Sequence, residues 1–112
     1  MKYFVTEDER KTARGTCYFE FQKGCHSGEY WLPDSINILD VQWDEFRLEE
    51  LIRRAGVDFD YFGLTFITRK QWNEIVRVSR EGKAVWEEVV AEAAPWVSEC
   101  FQEYDRFTIM GM

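Results

Sequence analysis

Two hydrophobic periods occur in this chain, and the switch between them constrains the fold most. In residues 17–22, CYFEFQ, Phe19 and Phe21 alternate with Glu20 and Gln22. That period of two is typical of a strand with one buried face. From residue 44 onward, apolar residues recur at spacings of three and four, which is typical of amphipathic helices. A chain that uses both periods in separate segments predicts an α+β fold.

Several short segments predict strands. They are residues 2–6 (KYFVT), 12–22 (TARGTCYFEFQ), 61–68 (YFGLTFIT) and 106–111 (RFTIMG). Residues 23–28, KGCHSG, contain two glycines and predict a hairpin turn, so residues 29–33, EYWLP, are the expected return strand, stopped by Pro33. Residues 36–39, INIL, continue that strand or form another. The expectation is an antiparallel or mixed sheet of about four to five strands.

The first helix is predicted to begin at Asp44, an N-cap residue type. Trp43 and Leu48 have the spacing of a hydrophobic staple across that cap. Leu48, Leu51, Ile52 and Ala55 share one helical face, and Gly56 is a suitable C-terminal stop.

Two further helices follow. Thr68 and Gln71 have capping-box spacing, which predicts a helix that ends near Gly82. A third helix is predicted from about residue 83 to 104, with a kink or break near Ala94 because Pro95 removes a backbone donor. About three helices are therefore expected, packed mainly on one face of the sheet, in a single domain of residues 1–112.

Composition sets limits on class and compartment. Hydrophobic residues make up 46% of the 112 residues and aromatic residues 17%, enough for a core built on large rings. No apolar run approaches the length of a membrane span, and the acidic start lacks the apolar stretch of a signal peptide. Three cysteines, Cys17, Cys25 and Cys100, do not form a disulfide framework. A cytoplasmic protein with reduced thiols is expected.

The charge of the chain argues against nucleic acid as a partner. The net charge is −7, from 14 basic and 21 acidic residues, whereas phosphate binding needs a basic surface. Residues 84–105 carry six acids and no Lys or Arg, and residues 27–60 carry nine acids against three arginines. This segregation favours a basic macromolecule as the partner, although the same charge also suits an ordinary solvated surface.

Catalytic motifs do not stand out. The chain has one histidine, His26, and neither it nor the adjacent Cys25 belongs to a pattern with metal-ligand spacing. The sequence contains no GxGxxG, P-loop or GxSxG motif. We therefore predict no catalytic residue, no cofactor and no metal.

Surface candidates come from helical geometry. Phe46 lies opposite the apolar face of the first helix, among acids, where it acts as a binding anchor or packs against a neighbouring loop. On a helical wheel, Glu81, Glu88, Glu92, Glu99 and Glu103 form a stripe beside Trp96. The candidate partner-binding residues are Asp44, Glu45, Phe46, Glu49, Glu88, Glu92, Trp96 and Glu99.

The stretch GEYWLPDSINILDVQWDEFRLEELIRRAG, followed by FDYFGLTFITRKQWNEI, resembles the small acidic immunity proteins of bacterial polymorphic-toxin and contact-dependent growth inhibition systems. The resemblance covers about residues 15–80 and transfers no individual binding residue. It implies a non-catalytic cytosolic protein that binds a cognate toxin domain, often a basic nuclease, and blocks its active site.

Two alternatives stay open from the sequence. One is a small-molecule-binding or enzymatic α+β domain with a pocket between sheet and helices, lined by polar groups that include His26 or Cys25. The other is a subunit of a homo-oligomer with Phe46 or Trp96 at the contact.

Overall fold

The computed structural model describes residues 1–13 and 17–112. In chain order the described elements are β1 (Phe4–Thr6), α1 (Glu7–Thr12), β2 (Tyr18–Lys23), β3 (Ile36–Leu39), α2 (Asp40–Glu45), α3 (Leu48–Arg54), β4 (Leu64–Thr68), α4 (Arg69–Glu81), α5 (Ala84–Glu103) and β5 (Arg106–Met110). Among the described helices, none is both long and apolar enough to pass through a bilayer.

The five strands form one antiparallel sheet in the order β1-β3-β2-β5-β4. Phe19 of β2 lies opposite Ile38 of β3, and Phe21 lies opposite Ile109 of β5. These pairings confirm the predicted α+β class. The predicted strand of residues 12–22 is shorter than expected: Thr12 ends α1, residues 14–16 lie outside the described residues, and β2 begins at Tyr18.

One face of the sheet carries the hydrophobic core, which α2 to α5 cover. Phe19 stacks on Trp43 of α2 with ring centroids 4.5 Å apart, and Phe107 meets Trp72 of α4 edge to face at 5.9 Å. Trp43 is therefore a central core residue and not only a staple for the following helix. The predicted inward residues Leu48, Leu51 and Ile52 are all buried, while Trp72 is half-buried against the core.

The opposite face of the sheet is polar and also buried. Because strand side chains alternate, Glu20, Gln22, Asn37 and Thr108 point away from the helices, yet each is at most 1% exposed. Residues 24–35 and α1 cover them, with the Arg10 guanidinium of α1 lying 3.9 Å from the Trp31 ring centroid. The domain therefore has three layers: helices, sheet, and a cover of loop and short helix.

The expected return strand at residues 29–33 does not form. The backbone N–H groups of Trp31 and Leu32 donate to the Glu20 carboxyl group, each at 2.9 Å, and Trp31 has a positive φ of 60°. The carbonyl of Glu29 accepts from the Gln22 side chain at 2.9 Å. The side chains of Glu20 and Gln22 thus bond to backbone groups of residues 29–32 that a return strand would have used to pair with β2. The strand that pairs with this edge of β2 is β3 instead.

The first predicted helix is divided in two, so Asp44 is not its N-cap. Asp44 lies in the last turn of α2, which already begins at Asp40. Arg47 adopts a left-handed conformation (φ 56°, ψ 46°), which ends one helix and starts the next at Leu48. Because α2 begins at Asp40, before the predicted start at Asp44, Trp43 lies within a helical turn that faces the core.

The remaining helices largely follow the sequence. The capping box of Thr68 and Gln71 is present at the start of α4. Helix α5 runs from Ala84 to Glu103 without the break that was one of the two outcomes expected near Ala94; the other, a kink, stays a prediction. Helix α1 was not predicted, although Thr6 and Glu9 form a capping box of the same kind. With the division of the first predicted helix, the described residues therefore form five helices where about three were expected.

Candidate protein-binding surface

Glu92 of α5 is a structural residue in this fold. Its carboxyl group accepts the backbone N–H groups of Lys2, Tyr3 and Phe4 at 3.0, 2.8 and 2.7 Å. These bonds fix the start of β1 against α5. A partner would have to compete with three hydrogen bonds to reach this carboxylate.

The other carboxylates of the predicted α5 stripe are partly neutralised. Glu99 lies 2.6 Å from the Lys23 ammonium, and Glu88 lies 3.8 Å from that of Lys2. Glu81 is not on α5 at all, because it ends α4, where it pairs with Arg77 at 3.1 Å. Since Glu88 and Glu99 are eleven residues apart, about 16 Å along the helix axis separates them. They do not form one compact patch.

Both aromatic candidates pack within the domain. The Trp96 indole donates to the carbonyl of Asp34 at 2.7 Å, and its ring meets Phe21 and Phe107 edge to face. Phe46 is half-buried, with its ring edge to face against Tyr3 at 5.5 Å. The structure therefore agrees with the packing interpretation of Phe46 and not with an exposed anchor.

Glu49 belongs to a groove whose charges are largely compensated. The groove has a volume of about 550 Å³ and lies over α2 and α3. Glu49 pairs with Arg53 at 2.8 Å, and Glu50 pairs with both Arg47 and Arg54 at 3.2 and 3.3 Å. These exposed i,i+3 and i,i+4 pairs support the helix locally and leave little uncompensated charge for a partner.

Asp44 and Glu45 are exposed and, within the part of the chain that the structure describes, neither is in a salt bridge. Asp44 accepts a weak hydrogen bond from the Tyr61 hydroxyl at 3.3 Å. Burial raises the pKa of Tyr61 above its ordinary value, and the negative charge of Asp44 raises that pKa further. This contact joins the end of α2 to the turn before β4.

That turn presents Phe62, whose side chain is 80% exposed. The Asp60 carboxylate accepts the Phe62 N–H at 3.0 Å, and the Phe62 ring meets Tyr61 edge to face at 5.0 Å. The Tyr61 carbonyl in turn accepts the backbone N–H of Met112, which follows β5, at 2.8 Å. Phe62 is thus an exposed ring on a backbone that is held from both sides.

We define the acidic–aromatic surface as Asp44, Glu45, Asp60 and Phe62. Only Asp44 and Glu45 come from the sequence prediction, which placed Phe62 inside the predicted strand of residues 61–68, whereas β4 begins at Leu64. The available signal was Phe62 itself: a phenylalanine next to a glycine in a turn has no strand or helix face on which to be buried. The strand prediction concealed this signal, because it assigned Phe62 a strand position that the structure gives only to residues from Leu64 onward.

Cavities elsewhere do not match the pocket expected for the ligand-binding alternative. Between sheet and helices the cavity volume is about 30 Å³, with apolar lining residues such as Leu51 and Val90. His26 lies outside it, with Nδ1 2.9 Å from the Gln22 amide oxygen. Among the described residues, no three of His, Cys, Asp or Glu are grouped as metal ligands.

A second cavity of about 230 Å³ lies on the polar side of the sheet, lined by residues that include Tyr18, Glu20 and Trp31. The Glu20 carboxyl group there already accepts three hydrogen bonds, from Trp31, Leu32 and the Ser35 hydroxyl. Its visible role is to hold the covering loop.

Comparison of the chain with protein-family models, with curated proteins and with solved structures gave no match.

Proposed function

We propose that this chain is a non-catalytic binding protein that neutralises a cognate, basic bacterial toxin domain in the cytoplasm, and that it does so through the acidic–aromatic surface. The observation that carries the proposal is the exposed Phe62 ring, whose backbone N–H is bonded to Asp60 and whose neighbour Tyr61 contacts Asp44 at the acidic end of α2. The net charge of −7 and the resemblance to immunity proteins support the same function.

Rigid exposed aromatics suit the centre of a protein interface. A ring contributes large contact area and loses little conformational freedom on binding when its backbone is already fixed. The carboxylates around it attract a basic partner over distances near the Debye length and orient the encounter. Phe62 would then enter a pocket of the toxin, while the acids contact basic residues at its rim.

This proposal assigns smaller roles to α5 than the sequence prediction did. Glu92, Trp96 and Glu99 already make internal contacts at 2.6 to 3.0 Å, so a partner would gain less from them. Glu88 is the most available of the four, because its ion pair with Lys2 is long and exposed.

The cavity between sheet and helices is too small for the ligand-binding alternative that places its pocket there. Drug-sized ligands occupy pockets of about 300–1,000 Å³, and the cavity between sheet and helices is an order of magnitude smaller. A macromolecular partner needs only a surface.

The test is the association rate with the toxin domain encoded by the adjacent reading frame, measured over a range of salt concentrations. For the parent chain the rate should fall as salt rises. Asp44→Asn combined with Glu45→Gln should slow association at low salt by about three- to tenfold, because the steering charge is removed.

Glu88→Gln combined with Glu99→Gln is the matched control, since it removes the same charge from α5. We expect the control to have the smaller effect. If the control slows association more than the first pair, the interface lies on α5. If salt and both pairs leave the rate unchanged, the acidic surface does not bind the toxin.

A further inference from the structure

Strand β4 is an edge of the sheet, and its hydrogen-bonding groups are only half used. Within the described residues it pairs with β5 alone. Gly111 N–H donates to the Gly63 carbonyl at 2.7 Å, whereas Gly24 N–H donates to Arg106 on the other side of β5. Odd-numbered residues of β5 therefore bond to β4 and even-numbered residues to β2.

The register then fixes which groups of β4 face outward. Thr65 lies opposite Ile109 and Ile67 opposite Phe107, so these two residues bond to β5. In an antiparallel ladder the alternate residues direct their N–H and C=O groups to the other side. Leu64 and Phe66 thus present their backbone groups to the open edge.

The exposed side chains on the open edge strand β4 include two apolar ones, at positions where most edge strands carry charged or otherwise blocking residues. Leu64 and Phe66 are each 41% exposed and lie on the same face of the strand. Natural edge strands are usually blocked by charges, prolines or bulges, because an open apolar edge recruits another strand. The opposite edge of this sheet is blocked, since Glu92 accepts the outward N–H of Phe4 and Glu9 accepts that of Thr6.

Charge is arranged in opposite signs at the two ends of β4. Exposed Asp58 and Asp60 precede the strand, and exposed Arg69 and Lys70 follow it. In a two-fold antiparallel pairing, the acidic end of one copy lies beside the basic end of the other. The edge is therefore complementary to itself.

We propose that a second copy of this chain docks on β4 through an antiparallel β4–β4 pairing, which joins the two sheets into one of ten strands. Leu64 of one copy lies opposite Phe66 of the other, so their outward backbone groups bond to each other. The same register brings Asp60 near Lys70 of the second copy. Four apolar side chains, two from each chain, cluster on one face of the joined sheet.

Sedimentation of the purified protein over a range of concentrations tests this, and it needs no toxin. The parent chain should show a reversible monomer–dimer equilibrium. Phe66→Lys should raise the dimer dissociation constant by at least about tenfold, because a lysine blocks the edge. Val41→Lys, at a more exposed apolar site on α2, is the control and should dimerise like the parent.

A charge test addresses the two-fold arrangement. Lys70→Glu should weaken the dimer, since it places two acids together at each end, and adding Asp60→Asn should restore part of the affinity. Hydrogen exchange gives the register without any substitution: the amides of Leu64 and Phe66 should exchange more slowly as protein concentration rises.

Three results would overturn the proposal. They are a monomer at all concentrations up to about the millimolar range typical of the weakest specific complexes, a Phe66→Lys variant that dimerises like the parent, and a dimer in which exchange at Leu64 and Phe66 does not depend on concentration. Because no toxin is present, these results test the dimer without the proposed function, and the Phe66→Lys result tests it at a residue outside the acidic–aromatic surface, whereas Asp60 is shared by both proposals.

Discussion

Single residues explain most differences between the expected and the observed structure. Glu20 occupies a strand position that alternation assigns to solvent, yet it is 1% exposed. Its carboxyl group accepts two backbone N–H groups and the Ser35 hydroxyl, at 2.6 to 2.9 Å. One buried carboxyl group thus sets the path of residues 31–35. A pattern of polar and apolar residues cannot reveal this, since it assigns every Glu to the outside.

Glu20→Ala should therefore destabilise the domain strongly. It leaves buried donors of Trp31 and Leu32 without an acceptor, and we expect a loss of about 2–4 kcal/mol in the free energy of unfolding. Denaturant unfolding followed by tryptophan fluorescence gives the value. Glu29→Ala removes an exposed carboxylate from the same loop and should change stability by less than about 0.5 kcal/mol. Equal effects of the two substitutions would show that the Glu20 contacts do not hold the loop.

At the scale of elements, short-range sequence signals predicted where helices form. Features that depend on packing between distant segments were not predicted. The capping box at Thr68 and Gln71 and the apolar spacing in α4 and α5 are short-range features, and both helices form as expected. The split between α2 and α3 accompanies the packing of Trp43 on Phe19 of β2 and on Phe59 of the loop before β4. That packing joins distant segments, so the spacing around Asp44 does not contain it.

The same limit applies to the candidate site. A helical wheel groups Glu88, Glu92 and Glu99 correctly on one side of α5, but it cannot show that Lys2, Tyr3 and Lys23 lie against them. Charge counts locate acidic segments, and only the tertiary structure tells which acids are already paired. Asp44 and Glu45 are in no salt bridge among the described residues, whereas Glu92 already accepts three backbone N–H groups; a role of any of them in partner binding stays a prediction.

Glu92 should hold the edge strand β1 in place. Glu92→Ala removes the acceptor of three N–H groups, and we expect a loss of about 1–2 kcal/mol together with faster hydrogen exchange at Tyr3 and Phe4. Glu88→Ala, one helical turn earlier, breaks only an exposed ion pair and should cost less than about 0.5 kcal/mol. If Glu92→Ala leaves both stability and exchange unchanged, the carboxylate is available to a partner after all.

At the scale of the whole molecule, the two edges of the sheet differ. The β1 edge is blocked by α5, and the β4 edge is open, apolar and flanked by charges of opposite sign. Phe62 lies directly before that open edge, on the side where Asp44 and Tyr61 connect α2 to the sheet. The exposed Phe62 ring and the open strand edge therefore lie next to each other, while Glu20 and Glu92 are used to hold the fold together.

The central claim is that Phe62 anchors the toxin, and the dissociation rate of the complex tests it most directly. Phe62→Ala should speed dissociation from the toxin domain by at least about thirtyfold, equivalent to the 2 kcal/mol or more lost at an interface hot spot. Tyr30→Ala is the matched control, because Tyr30 is also an exposed aromatic, at 63%, but lies on the loop that covers the other face of the sheet. The Tyr30→Ala variant should dissociate from the toxin domain at the same rate as the parent. A Phe62→Ala variant that remains folded and dissociates no faster than the Tyr30→Ala control would contradict it.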